Sequence, residues 1–175
     1  LLSFFNKHLQ SDKPFKAKKQ PKQRLWNITS KRWQQAKQKM KSNPYWVLIS
    51  NGGASCLDSR DGVLELNGTG AGSSIIVHDP WRPVPAIGGH LSNEPGNADR
   101  KILDLRGDIA TFTSKRSEAN IRLEGNPVLK LIVQADREGF DLCVALSIVN
   151  LDESKVTQIS TGTLRVLGDI AKSPI

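Results

Sequence analysis

The period of hydrophobic and polar positions changes once along the chain. In residues 1–10, Leu1, Phe5 and Leu9 fall at i, i+4 and i+8, with Leu2 and Phe4 beside them. That is the 3.6-residue period of a short amphipathic helix, and two adjacent phenylalanines require a surface to pack on. Residues 11–23 (SDKPFKAKKQPKQ) have no period, two prolines and five lysines, and read as a linker. Residues 24–30 predict a short strand around Leu25, Trp26 and Ile28. Residues 31–43 are polar and basic with Trp33 as anchor, and Asn43-Pro44 is a turn signal.

From Tyr45 the period becomes two. Tyr45-Trp-Val-Leu-Ile49 is aromatic and β-branched, bounded by Pro44 and by Asn51-Gly52-Gly53, and predicts a strand. Val63–Leu66 follows Asp61-Gly62, and Ser74–Val77 follows the glycine-rich Asn67–Gly72. Residues 79–99 form a long irregular stretch with four prolines and three glycines. Further strands are predicted at 108–113, 119–124, 127–135, 141–149 and 156–167. Ile121 and Leu123 alternate with Arg122 and Glu124, so one face is set for burial. Val128–Val133 is apolar almost throughout, the pattern of a central strand covered on both faces. Leu142, Val144, Leu146 and Ile148 share a face opposite Cys143, Ala145, Ser147 and Val149. Strands about ten residues apart, with turn signals between them, predict an all-β antiparallel sandwich or jelly roll. Each aliphatic side chain buried in such a core contributes about 1.5–3 kcal/mol.

Composition adds limits. The 175 residues suit one domain with an appendage, and 38% hydrophobic content argues against wholesale disorder. No run approaches eighteen apolar residues, so no membrane-spanning helix is predicted and no membrane partner is expected. The net charge of +8 is uneven. Residues 1–50 carry twelve Lys/Arg against the single acid Asp12, which is +11, and residues 51–175 carry −3. Lysines interleaved with Trp26 and Trp33 would suit a nucleic-acid grip. No nucleic-acid module signature accompanies them, so a solvated lysine-covered segment is preferred and nucleic acid is not an expected partner. Two distant cysteines, Cys56 and Cys143, suggest a reducing compartment, and no signal peptide is visible; a cytoplasmic location is expected.

The search for chemistry is mostly negative. There is no G-x-S-x-G elbow and no phosphate-binding G-x-x-x-x-G-K-[ST] loop. Gly68-Thr-Gly-Ala-Gly72 follows a strand but opens no helix whose N-terminus would hold a pyrophosphate, so it reads as a hairpin loop. His8, His78 and His90 are isolated, with no ligand spacing around them. Asp99, Asp104 and Asp108 match no calcium loop, and the interleaved Arg100, Lys101 and Arg106 predict salt-bridged turns. Asn27-Ile-Thr29 and Asn67-Gly-Thr69 match the glycosylation sequon, but no secretory signal accompanies them. No catalytic residue, metal or cofactor is assigned. His90 stands apart because it follows Gly88-Gly89 in the irregular loop, and loops on rigid β scaffolds carry ligand contacts.

One series of residues is more specific. His78-Asp-Pro-Trp-Arg-Pro-Val-Pro-Ala-Ile-Gly-Gly89, Gly96-Asn-Ala-Asp-Arg100 and Leu105-Arg-Gly-Asp108 follow in order. Thr111-Phe-Thr113, Ile121-Arg-Leu-Glu-Gly125, Leu129-Lys-Leu-Ile-Val133, Phe140-Asp141 and Thr161-Gly-Thr-Leu-Arg165 continue it, and Phe4-Phe-Asn-Lys-His-Leu9 and Tyr45 to Leu66 precede it. The series resembles the C-terminal domain of X-Pro dipeptidyl-peptidase and of the CocE/NonD (cocaine-esterase-like) serine hydrolases. The resemblance implies a jelly-roll, galactose-binding-like β-sandwich over 45–175. It implies that 1–44 is a linking helix and basic connector from an N-terminal α/β-hydrolase catalytic domain. The Ser-His-Asp triad would then lie before Leu1, and His8 would sit in the linking helix without a catalytic role. The β-domain would help wall a pocket for a small acyl ester or X-Pro peptide, with Gly89, His90 and Leu91, after Gly88, as the substrate-binding segment. A homo-oligomer is compatible with this reading.

The sequence departs from the family pattern at four places. Ser92-Asn93-Glu94-Pro95 stands where the family loop is apolar, Asn97-Ala98 where Gly-Pro is preferred, and Gly162-Thr163 where Asp-Gly is preferred. The family's last strands, with a "GHRIR" segment, are not found before Ile175; the expectation is either a chain truncated at both ends or a shortened variant, and missing strands would leave an open sheet edge. The competing class is a non-enzymatic jelly roll that binds a carbohydrate or a protein.

Overall fold

A computed structural model describes Leu2, Phe5, Leu9 and residues 24–36, 45–89 and 92–167. The chain divides into two compact units, Leu1–Asn43 and Pro44–Ile175. In the first, Leu2, Phe5 and Leu9 are helical, as the spacing of apolar residues predicts, while the linker 11–23 and His8 lie outside the described residues.

The expected single strand at 24–30 is instead a hairpin. β1 (Arg24–Asn27) pairs antiparallel with β2 (Arg32–Gln35), Trp26 opposite Trp33. The chain turns because the Asn27 side-chain oxygen accepts from the Ser30 N–H at 2.7 Å and Lys31 takes a left-handed φ of 51°. The two indoles meet edge to face, centroids 5.5 Å apart, and the Arg24 guanidinium lies 5.9 Å from the Trp33 ring centroid.

In the second unit, β3 (Trp46–Ser50) pairs antiparallel with β4 (Gly62–Leu66), Leu48 opposite Leu64. Asp61 ties the loop between them. Its carboxylate accepts from the Ser50 hydroxyl at 2.5 Å, from the Gly52 N–H, and from the Ala54 N–H at 3.0 Å. On the other side of β4, Thr113 makes an isolated parallel bridge to Val63, with Leu64 N–H donating to Thr113 O at 3.1 Å. β5 (Gly139–Val149) and β6 (Val156–Leu167) form a long antiparallel hairpin, Leu142 opposite Leu164 and Asp141 opposite Arg165. Its turn is closed by Asn150, whose side chain accepts from Lys155 N–H at 2.8 Å and donates to the Ser154 hydroxyl at 2.9 Å. Among the described residues one 3-10 turn, Leu103–Leu105, is interposed. The described chain is thus mostly strands in small antiparallel sheets with almost no helix, an all-β architecture.

Several expectations are corrected. Residues 74–77, 119–124 and 127–135 run outside the named strands, and 108–113 reaches one only through the Thr113 bridge. The alternation at 121–124 and the apolar run at 128–133 are present, but a strand also needs a neighbour to take its backbone hydrogen bonds. The central-strand reading of 128–133 fails on exposure, since Val128, Leu131 and Val133 are exposed and Ile132 fully so. On β5, Leu142 and Val144 are half-buried as expected. A register shift between Leu146 and Ser147 then breaks the alternation, and Ile148 is exposed. The expected apolar core is correspondingly thin. The buried described residues are Leu103, Gly62 and three polar ones, Ser50, Ser55 and Gln158.

Candidate functional site

The motif of residues 78–108 folds into two adjoining structures. In the first, the Asp79 carboxylate accepts from Trp81 N–H at 2.9 Å and its carbonyl accepts from Arg82 N–H at 3.1 Å, a turn that Pro80 favours by its fixed φ. The Arg82 carbonyl in turn accepts from Arg106 Nη2 at 2.5 Å. Arg106 also binds Asp108 through both carboxylate oxygens, at 2.8 and 2.6 Å. The Arg106 guanidinium holds the Asp108 carboxyl below the usual carboxylate range. Asp79, Arg82, Arg106, Gly107 and Asp108 line a cleft of about 210 Å³.

The second structure is the neck of a loop. Gly88 and Gly89 have φ of 60° and 72°, and Gly96 has 109°, all in the left-handed region that favours glycine. Gly89 N–H donates to Gly96 O at 2.7 Å and Gly96 N–H donates back to Gly89 O at 2.8 Å, closing the loop 90–95. A side chain at Gly88 would put its Cβ 2.6 Å from Gly96 O and 2.8 Å from Ala98 Cβ. Behind the neck lies Gln158 of β6, 2% exposed. Its Nε2 donates to Ile87 O at 2.7 Å, its Oε1 accepts from Arg100 Nη1 at 2.9 Å, and its backbone N–H donates to Ala98 O at 2.8 Å. Arg100 also pairs with Asp104 at 3.0 Å. Burial raises the Asp104 carboxyl against the opposing pull of Arg100. Asp99 accepts from Lys101 and Val156 N–H groups, each at 3.1 Å, and these bonds lower its carboxyl.

Of the sequence-designated segment, Gly89 forms the neck, while His90 and Leu91 lie outside the described residues. His78 is exposed at the other end of the motif. Asp99, Asp104 and Asp108 do not converge; Asp99 caps backbone, and the other two pair with arginines as their interleaving suggests. Gly68–Gly72 is not a simple hairpin loop: a Cβ at Gly72 would lie 2.3 Å from Ser50 O, so glycine lets this segment pass against β3. A separate cleft of about 280 Å³ is lined by Ser55, Cys56, Asp58, Arg60, Asp104 and Thr111 among others. The Ser55 and Ser74 hydroxyls share a 2.5 Å bond beside it. Sequence reasoning missed Gln158 and the partner role of Arg100. The available signal was a polar amide amid Val156 and Ile159 on a β-branched strand.

Paired short sheets, a glycine-necked loop and arginine-braced turns define a β-rich module whose described polar groups brace the backbone. Compared with known protein families, residues 8–171 match the X-Pro dipeptidyl-peptidase C-terminal non-catalytic domain, and the chain belongs to that family. The match bears out the resemblance of the 78–108 series to the X-Pro dipeptidyl-peptidase C-terminal domain. No curated protein matches the chain, and neither does any solved structure. Family membership implies a linked catalytic domain in a larger peptidase. Among the described residues no helix is long and apolar enough to cross a membrane.

Proposed function

We propose that the chain is the accessory β-domain of a cytoplasmic serine hydrolase of the X-Pro dipeptidyl-peptidase or CocE/NonD type, acting on X-Pro peptides or small acyl esters. Residues 45–175 assemble as a jelly-roll, galactose-binding-like sandwich, and 1–44 link it to an N-terminal α/β-hydrolase domain. The domain stabilises that catalytic domain and walls its pocket with Gly89, His90 and Leu91. The observation that carries the reading is the family match over 8–171, a domain that is non-catalytic by description. The doubly bonded Gly89–Gly96 neck supports it, because it fixes where the 90–95 segment leaves and rejoins the β scaffold.

The pocket role is tested in the polypeptide that includes the hydrolase domain, by substituting Leu91→Ala and His90→Ala. The expected result is a rise of about threefold or more in KM for Xaa-Pro-anilides or aryl esters with kcat little changed, the pattern of lost substrate binding. Unchanged KM in both variants would remove the pocket role.

A further inference from the structure

Gln158 makes contacts that a merely space-filling residue does not need. It is buried, it lies on β6, and its side chain reaches the chain on both sides of the glycine loop. Nε2 holds Ile87, just before Gly88-Gly89, and Oε1 holds Arg100, just after Gly96. The amide orientation is set by its partners: a guanidinium only donates, so the oxygen faces Arg100, and a carbonyl only accepts, so the NH₂ faces Ile87. Neither Leu nor Glu reproduces this pair of bonds. The neck itself is one isolated bridge between residues of positive φ, with no neighbouring ladder to reinforce it. Its position is tied to β6 by the Gln158 side chain and by backbone contacts beside it, Gln158 N–H to Ala98 O at 2.8 Å, Arg100 N–H to Val156 O at 2.7 Å and the Asp99–Thr157 bridge.

We propose that Gln158 is the positioning residue of the Gly89–Gly96 neck: through Ile87 on one side and Arg100 on the other it fixes on β6 the two points from which the 90–95 segment leaves and returns. The inference rests on the pocket-wall role proposed above. Gln158 itself touches no reacting atom.

Two variants test it. Gln158→Leu removes both side-chain bonds, and Gln158→Glu keeps the acceptor for Arg100 while losing the donor to Ile87. Hydrogen exchange on the full chain is read at the Gly89 and Gly96 amides, with the β3–β4 amides Leu48 and Leu64 as controls. Exchange at the neck is expected to accelerate about tenfold or more in both variants, as loss of a bond to a buried group permits, with the controls unmoved. In the polypeptide with its hydrolase domain, KM is expected to rise about threefold or more with kcat little changed, and Gln158→Glu to keep the protection of the Arg100 amide. Unchanged neck exchange in both variants overturns the proposal. So does acceleration that includes Leu48 and Leu64 in both, since Gln158 would then be a general fold element. Accelerated neck exchange with unmoved KM would leave the pin in place and instead overturn the pocket role of the loop.

Discussion

At the scale of single residues, close approaches and carboxylate bonds carry the local order. Gly62 is the tightest case, because a Cβ there would fall 1.7 Å from the Thr111 carbonyl oxygen beside β4. Gly62→Ala is expected to destabilise the chain by about 1–3 kcal/mol or more, the cost of overpacking against backbone that cannot yield. Gly107→Ala, whose Cβ would meet only the end of Leu57 at 3.4 Å, should stay within about 0.5 kcal/mol in the same denaturant titration. The carboxylates set a pH dependence. Asp61 is held below the usual range first by the Ser50 hydroxyl, Asp108 by Arg106, Asp141 by Arg165, and Asp58 is lowered to about 2 by Arg60. A carboxyl depressed in the folded state adds stability above its unfolded value, near pH 4, and loses it as pH falls through the folded value. Asp104, raised by burial, works in the opposite sense. The urea midpoint should therefore fall as pH drops below about 4. Asp61→Asn should flatten that limb, and Asp104→Asn should steepen it. Glycines 88, 89 and 96 announce a turn in sequence by their type alone, whereas Gln158 does not, because its two partners lie 71 and 58 residues away.

At the scale of elements, what was legible depended on whether the signal was local. β3, β4, β5 and β6 fall close to where period-two runs bounded by turn residues place them. β2 was missed because Trp33 stands among Arg32, Gln34 and Gln35, with no alternation to read; the hairpin is made by the Asn27 turn and by the cross-strand indole pair. That pair has its own signature. Trp33→Ala or Trp26→Ala is expected to abolish an exciton couplet in far-ultraviolet circular dichroism and to weaken the hairpin by about 0.5–1.5 kcal/mol. A couplet that survives either substitution would rule out the edge-to-face geometry. Residues 119–135 show the opposite failure. Their pattern is a strand pattern, but pairing is a long-range property, and sequence alternation says which side chains share a face without saying which backbone lies alongside.

At the scale of the whole molecule, the charge separates what composition averages. The +8 is the sum of a +11 segment over residues 1–50 and a mildly acidic remainder that contains the family motif. Family membership was legible from the ordered Asp79–Asp108 series, whose residues make contacts in the structure, Arg106 to Arg82 and Asp108, and Ile87 and Arg100 to Gln158. The pocket contact was less legible: His90 and Leu91 were named from position in a loop, and no local pattern distinguishes a ligand contact from a turn.

The central claim is that this chain supports catalysis without performing it. The most direct measurement is turnover of Xaa-Pro-anilides and aryl esters by the 175-residue chain alone and by the polypeptide that joins it to its hydrolase domain. The account predicts no turnover by the chain alone and turnover sensitive to serine-directed inhibitors in the joined polypeptide. Inhibitor-sensitive turnover by the isolated chain would contradict it.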